Sequence, residues 1–362
     1  MTPSQTPRIK GFDGIRALAA FGVLLMHKTA IGQRFALGQY GVWLFFLLSG
    51  FLITSQLIQA RGRAEARATS DIAELMAFWW RRSFRILPPY YALLTVFTVL
   101  YTVQHRPIPG LPWHVFYATN WFLEFKTPDG AAGTWSHFWS LAIEEQFYLL
   151  FAPLILLTSR KLAPWWCAGL LLAGIGRRIY MVEDGWPSFA IYNDSVVNLA
   201  SLALGGLAGM AARKKALRGD WIGWLSLGLF LALPVILGLT GLSNDLTPLL
   251  ALGVGVIAIA ALHGNQDGAL ARVLSWKPIA YFGRISYGFY LYETYAPVAL
   301  ASKLLHRTGF AMDVLNFAVA LGMSTLVAAL SFELFEMPLQ RFGRRFTIGR
   351  ARQAKDVAQI AS

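Results

Sequence analysis

The stretch IRALAAFGVLLMHKTAI, residues 15–31, is a mostly apolar run near the start of the chain that carries an arginine, a histidine and a lysine. It is longer than the apolar core of a typical signal peptide, and no small-residue cleavage site follows it. A membrane-spanning helix needs about 20 mostly apolar residues. The stretch therefore predicts a first membrane span that is retained in the protein.

The composition of the whole chain agrees with a membrane protein. Of 362 residues, 56% are hydrophobic and only 14% are charged, and the mean hydropathy is +0.49. Soluble domains carry about 25% charged residues, so the composition favours a membrane protein over a soluble fold. The single cysteine, Cys167, cannot form an internal disulfide, and no Cys/His cluster has zinc-ligand spacing. We therefore predict no metal site.

Further apolar segments of spanning length follow the first one. Together they predict an all-α polytopic helical bundle, integral to the membrane, with about ten transmembrane helices. The predicted spans are 13–33, 38–59, 86–104, 137–158, 164–181, 191–211, 221–240, 246–263, 285–304 and 313–335.

The basic residues orient this bundle. With the N-terminus in the cytoplasm, cytoplasmic segments hold 23 Lys and Arg residues and outer segments hold 8, which the positive-inside rule favours. The net charge of +13 then reflects anchoring at the lipid bilayer, and no nucleic-acid partner is expected. We predict cytoplasmic termini at residues 1–12 and 341–362, the second a basic tail, around a ten-helix domain at 13–340.

Titratable groups within the spans are candidates for a functional role, because placing a charged side chain inside the membrane costs free energy. Arg16 and His27 are eleven residues apart, so they share a helix face about 16 Å apart along the axis. Glu144, in TWSHFWSLAIEEQFYLL, has nearly the same predicted depth as His27. A carboxylate at that depth can support the imidazole as a base. The alternative is that Arg16 and His27 pack the bundle and the glutamate pairs with an arginine elsewhere.

A basic cluster precedes the third predicted span, in WWRRSFRILPPYY at residues 79–91. Arg82 and Arg85 are three residues apart and therefore neighbours on a helix. Arginine forks bind phosphate oxygens well, and a position at the start of a helix adds the positive end of its dipole. The alternative is simple anchoring at the membrane surface.

Several of these motifs, in this order, resemble the membrane-bound acyltransferase family 3, which includes bacterial O-antigen, exopolysaccharide and Nod-factor O-acylases. The resemblance covers nearly the whole chain, and its most specific segment is HFWSLAIEEQFYL, with Glu144 at the glutamate position. Three positions depart from the family pattern: Glu293 ends SYGFYLYE where a histidine is usual, and Asn198 and Ala200 replace a usual Arg-x-Asp pair. The other matching motifs are GFDGIRALAAFGVLLMH, YGVWLFFLLSGFLI, RRSFRILPPYY and FELFEMPLQRF.

The resemblance implies an O-acyltransferase of the bacterial inner membrane that moves an acyl group, acetyl by expectation, from acyl-CoA to a hydroxyl of a cell-surface or exported glycan. Acyl-CoA would be a co-substrate, and no tightly bound cofactor is expected. His27 would be the general base. We predict His27, Glu144 and Arg16 as catalytic residues, and Arg82 and Arg85 as ligands of the CoA phosphates.

Other functions remain open from the residues alone. A macrolide-like small molecule is an alternative acceptor. Intramembrane Arg, His and Glu would also suit a proton-coupled transporter or flippase, although no inverted repeat is visible. A non-catalytic assembly subunit would not need Arg16 and His27 on one face. The chain has no G-x-x-x-x-G-K-[ST] loop, so ATP hydrolysis is not expected.

Overall fold

The computed structural model describes residues 9–66, 68–127, 133–214, 217–242 and 247–343, and every element within these ranges is helical. The predicted terminal segments 1–12 and 341–362 lie mostly outside the described residues. The α-helices are α1 Phe12–Lys28, α2 Ala30–Arg34, α3 Leu37–Glu65, α4 Asp71–Val103, α5 Leu111–Val115, α6 Thr119–Lys126, α7 Phe138–Leu156, α8 Ala163–Glu183, α9 Ser188–Asn193, α10 Ser195–Lys214, α11 Asp220–Thr240, α12 Thr247–Gly264, α13 Ala269–Leu274, α14 Lys277–Arg284, α15 Ser286–Tyr292, α16 Leu300–Leu305 and α17 Phe310–Ser331. Short 3-10 helices lie at Gly133–Trp135, Arg160–Leu162 and Glu293–Tyr295, and a π-helical segment, Phe332–Glu336, follows α17.

Seven helices among the described residues are long and apolar enough to cross a membrane. They are α3, α4, α7, α10, α11, α12 and α17, the last continuing to Gly343. This confirms the prediction of an all-α polytopic membrane protein. The count of ten spans stays a prediction, because the other three predicted spans take different forms.

The fifth predicted span, α8, is a single helix of 21 residues that carries Arg177 and Arg178. The first, at 13–33, is divided at Thr29, whose extended backbone separates the 17 residues of α1 from α2. The ninth, at 285–304, is broken. Helix α15 passes at Glu293 into a tight turn that ends at Ala296, whose backbone is extended. Pro297 disfavours a helical conformation in the residue before it, so the turn stops there.

Close backbone contacts hold the centre of the bundle together. Helix α1 packs against α3, α14 and α15, and α3 packs against α10. At the α3–α10 crossing, a Cβ added to Gly50 would lie 1.9 Å from the carbonyl oxygen of Leu202. A Cβ added to Gly205 would lie 2.1 Å from that of Leu47. Small residues that let helix backbones approach are a common device in membrane bundles.

The basic helix ends gather at one end of the bundle. Lys10 Nζ lies 2.8 Å from Asp267 Oδ1, beyond the last turn of α12. At the same end, Arg63 of α3 binds Glu74 of α4 at 2.7 Å. The Trp80 indole donates to the carbonyl oxygen of Gly343. Both ends of the described chain therefore lie toward this end, which we call the basic end; the cytoplasmic location of the termini stays a prediction.

Candidate active site

A cavity with about 630 Å³ of empty space, part of it open to solvent, lies between α1, α3, α4, α7 and α15. We call it the arginine cavity, because Arg16, Arg82 and Arg85 converge on it from two helices. The polar residues that share its wall are Ser49, Ser140, Glu144, Tyr148, Ser286, Tyr287 and Tyr290. Three of the four charged residues in this wall are therefore arginines.

Local contacts fix the orientation of two of these arginines. The guanidinium of Arg82 lies over the ring of Tyr148, 4.9 Å from its centroid, a favourable cation–π geometry. Arg16 Nη1 lies 3.3 Å from Asp13 Oδ1, one turn back on α1. Neither arginine is bound in a bidentate ion pair with a carboxylate. The site can therefore offer guanidinium donors to an anion.

The dipole of α4 does not add to the positive potential at Arg82 and Arg85, although the sequence predicts that it would. The sequence predicts that Arg82 and Arg85 lie at the start of the third span, but α4 begins at Asp71, about three turns before Arg82. The dipole effect falls off within the first turn. The prediction of a contribution from the helix start is therefore wrong, and the positive charge in the cavity wall comes from its three guanidinium groups.

Glu144 belongs to the arginine cavity and is not the partner of His27. One of its carboxylate oxygens accepts a hydrogen bond from Ser49 Oγ at 3.0 Å, and the other accepts one from the Tyr148 hydroxyl at 2.8 Å. Both oxygens are thus engaged within the cavity wall. The predicted pairing of Glu144 with His27 is wrong. Equal depth along two helices does not make two side chains neighbours, because the helices can face different partners.

His27 pairs with a carboxylate that sequence reasoning did not assign to it. His27 Nδ1 lies 2.6 Å from Glu293 Oε1, and Glu293 is fully buried. The His27 side chain is 35% exposed, so the imidazole remains accessible while its partner is enclosed. The sequence carries a signal for Glu293, because this glutamate stands where the family that the chain resembles usually has a histidine.

The arginine cavity and the His27–Glu293 pair are linked through α1 and α15. Arg16 and His27 share a face of α1 and lie about 16 Å apart along it. Tyr290 lines the cavity and precedes Glu293 by three residues; its ring hydroxyl lies 2.7 Å from Ser140 Oγ and donates to the carbonyl oxygen of His137. The structure thus brings Arg16, Arg82, Arg85 and Glu144 together, and places His27 outside the cavity wall, farther along α1.

The described residues contain no group of three or more His, Cys, Asp or Glu side chains arranged to hold a metal ion. The arrangement instead combines a cationic cavity with an accessible imidazole held by a buried carboxylate. Chemically, it can bind an anion at one end and accept a proton at the other.

Comparison with known proteins places the chain in a family. A family model described as an acyltransferase domain matches residues 9–333. The O-acetyltransferase OatA of Staphylococcus aureus is 27% identical over 93% of this chain and 58% of its own length. The peptidoglycan O-acetyltransferase OatA of Listeria monocytogenes is 28% identical over 92% of this chain and 56% of its own length. The chain thus spans less than two thirds of these relatives, and no solved structure matches it.

Proposed function

Because the chain belongs to the membrane acyltransferase 3 family, we propose that it transfers an acyl group, acetyl in the first instance, from acyl-CoA to a hydroxyl of a cell-surface or exported glycan. The relatives named above are O-acetyltransferases, one of them named for peptidoglycan, and they motivate acetyl and a glycan. The observation that carries the proposal is the convergence of three arginines on one cavity. One of them, Arg16, lies on the same face of α1 as His27.

The arginine cavity is the proposed site for the donor's phosphates. Arg16, Arg82 and Arg85 reach it from two helices, and charge-assisted hydrogen bonds from guanidinium to phosphate are the strong kind. The pantetheine arm of the donor is a long flexible chain. It would run along α1, so that the thioester meets His27 about 16 Å from Arg16. The basic end of the bundle, where acyl-CoA would enter, is proposed to face the cytoplasm of a bacterial inner membrane.

His27 is the proposed general base. Its Nδ1 is occupied by Glu293, which leaves Nε2 to take the proton of the acceptor hydroxyl. As that proton leaves, the hydroxyl oxygen bonds to the thioester carbonyl carbon, and the carbon–sulfur bond then breaks. The imidazolium returns the proton to the CoA thiolate, so the products are the ester and free CoA. Base catalysis of this kind is worth about 10²–10⁴-fold.

The test uses membranes from a strain that lacks the chromosomal copy and carries a plasmid copy. Acetyl-CoA labelled in the acetyl group is added, and label in the envelope glycan fraction is followed with release of free CoA. We expect both to depend on the protein, and mass spectrometry should find acetyl esters missing from the deletion strain's glycan. Consumption of acetyl-CoA with a labelled small-molecule product and an unlabelled glycan would favour a macrolide-like acceptor. Transport with no acetyl-CoA consumption would overturn the proposal.

A further inference from the structure

The carboxylate beside His27 is placed as a partner of the imidazole and has few other contacts. Glu293 Oε1 accepts hydrogen bonds from His27 Nδ1 at 2.6 Å and from the hydroxyl of its neighbour Thr294 at 3.0 Å. The second oxygen, Oε2, is buried and has no hydrogen-bond partner in the described part of the chain. A carboxylate that served only to join helices would be expected to use both oxygens, because leaving a buried acceptor unpaired is costly.

The turn that carries Glu293 is fastened to the same end of α1 as His27. Lys28 Nζ donates to the carbonyl oxygens of Thr294 and Ala296, at 3.2 and 2.7 Å. Two successive residues of α1 therefore contact the 293–296 turn, one through its imidazole and one through its ammonium group. These contacts fix the distance between the imidazole and the carboxylate.

This geometry has a direct chemical consequence for the imidazole. A carboxylate that accepts a hydrogen bond from Nδ1 selects the tautomer with the proton on Nδ1, which leaves the lone pair on Nε2. The same negative charge stabilises the imidazolium that forms when Nε2 takes a proton. We propose that Glu293 is the positioning residue of His27: it holds the tautomer, orients the ring and stabilises its protonated form during acyl transfer. This inference rests on the proposed role of His27 as the base.

The proposal separates the two glutamates by function. Glu144, engaged by Ser49 and Tyr148 in the arginine cavity, has no part in positioning the imidazole. Glu293 acts only through His27, so its loss should lower turnover and leave donor binding unchanged. It should also have no further effect once the imidazole has been removed. Effects of residues that act as a unit are non-additive in this way.

The experiment is a double-mutant cycle on purified protein, with acetyl-CoA as donor and the envelope glycan fraction of the deletion strain as acceptor. E293Q should lower kcat at least about tenfold, as expected when a carboxylate that holds a catalytic histidine is neutralised, with the KM for acetyl-CoA within about twofold of wild type. H27Q with E293Q should be no slower than H27Q alone. E124Q is the matched control, because Glu124 is also a buried carboxylate but pairs with Arg177; its kcat should stay near wild type.

The outcomes distinguish this proposal from the proposed function. A near-wild-type kcat in E293Q would overturn the positioning role. So would a loss of kcat on adding E293Q to H27Q that equals the loss it causes in the wild-type protein. Neither result would contradict the acyltransferase activity. Full activity in H27Q would overturn the base assignment itself. If E293Q does not accumulate in membranes, E293D and E293A replace it. The charged aspartate should retain more turnover than alanine, and equal turnover in the two would count against the proposal.

Discussion

His27 and Arg82 lie at opposite ends of the proposed donor path, so their loss should have different kinetic signatures. His27→Ala should lower kcat by about two orders of magnitude or more, the usual effect of losing a general base, with little change in the KM for acetyl-CoA. The protein should still insert, because removing a polar group from a membrane helix eases its burial. The measurement is acetyl transfer by equally expressed, purified variants. Gln at this position keeps a hydrogen bond but cannot cycle a proton, so a fully active His27→Gln would show that the imidazole is structural.

The arginines should instead affect the donor. Arg82→Ala and Arg85→Ala should each raise the KM for acetyl-CoA by about tenfold or more, since a hydrogen bond to a charged group is worth about 1.5–3 kcal/mol. Arg81→Ala is the matched control, because Arg81 is exposed and does not line the cavity.

Donor titrations should be repeated with the dephospho form of acetyl-CoA, which lacks the 3′-phosphate. An arginine that binds that phosphate should lose most of its effect with this donor. An unchanged donor KM in the Arg82/Arg85 double variant would show that these residues only anchor the helix at the membrane surface.

At the residue scale, sequence reasoning succeeded where helical periodicity alone decides the outcome. The spacing of Arg82 and Arg85 places both on one face of α4, and both line the cavity together with Arg16. The partner of His27 was mispredicted because a sequence indicates how deep a residue lies in a span but not which neighbouring helix it faces. The sequence does not pair Glu293 with His27, because hydropathy predicts one unbroken helix at 285–304 and does not reveal the turn that carries Glu293 toward α1.

At the scale of elements, the differences from the predicted helices have local causes. The third span was expected to start near residue 86, whereas α4 starts at Asp71 and continues through Pro88 and Pro89. Its start is marked by Ser70, whose hydroxyl accepts a hydrogen bond from the backbone N–H of Ala73 at 3.1 Å, an N-cap that a hydropathy window does not register. The break after Glu293 follows from Pro297, a signal that was present in the sequence.

The crossing of α3 and α10 yields a stability prediction. Gly50→Ala should destabilise the protein by about 1–3 kcal/mol, the usual cost of overpacking, because the added Cβ would meet the backbone of Leu202, which cannot rotate away. Gly169→Ala on α8 is the control, since a Cβ there meets nothing within 4 Å, and it should be neutral or slightly stabilising. Thermal unfolding in detergent measures both. Equal melting temperatures for the two variants would contradict the tight crossing.

At the scale of the whole molecule, contacts at the two ends of α11 show in which direction this helix runs. Asp220, at the start of α11, accepts hydrogen bonds from the backbone of Ala269 and Leu270, close along the chain to Asp267, which binds Lys10. Helix α11 therefore starts at the basic end. Near its other end, Gly238 lies against the ring of Phe35, which follows α2, beyond the end of α1. Thr240 thus lies at the opposite end of the bundle from the start of α1.

This arrangement, with 23 Lys and Arg residues on the predicted cytoplasmic side and 8 outside, predicts how the protein crosses the membrane. A reporter fused after residue 240 should read as outside, and one fused after residue 362 as inside, because short basic segments are retained in the cytoplasm. Each site is fused separately to alkaline phosphatase and to a fluorescent protein, which are active on opposite sides of the membrane. Each site therefore has its own control. A third fusion after residue 214, at the end of α10, should read as inside. If the fusions after 214 and 240 reported the same side, α11 would not cross the membrane, and the arginine cavity could not be assigned to the cytoplasmic donor.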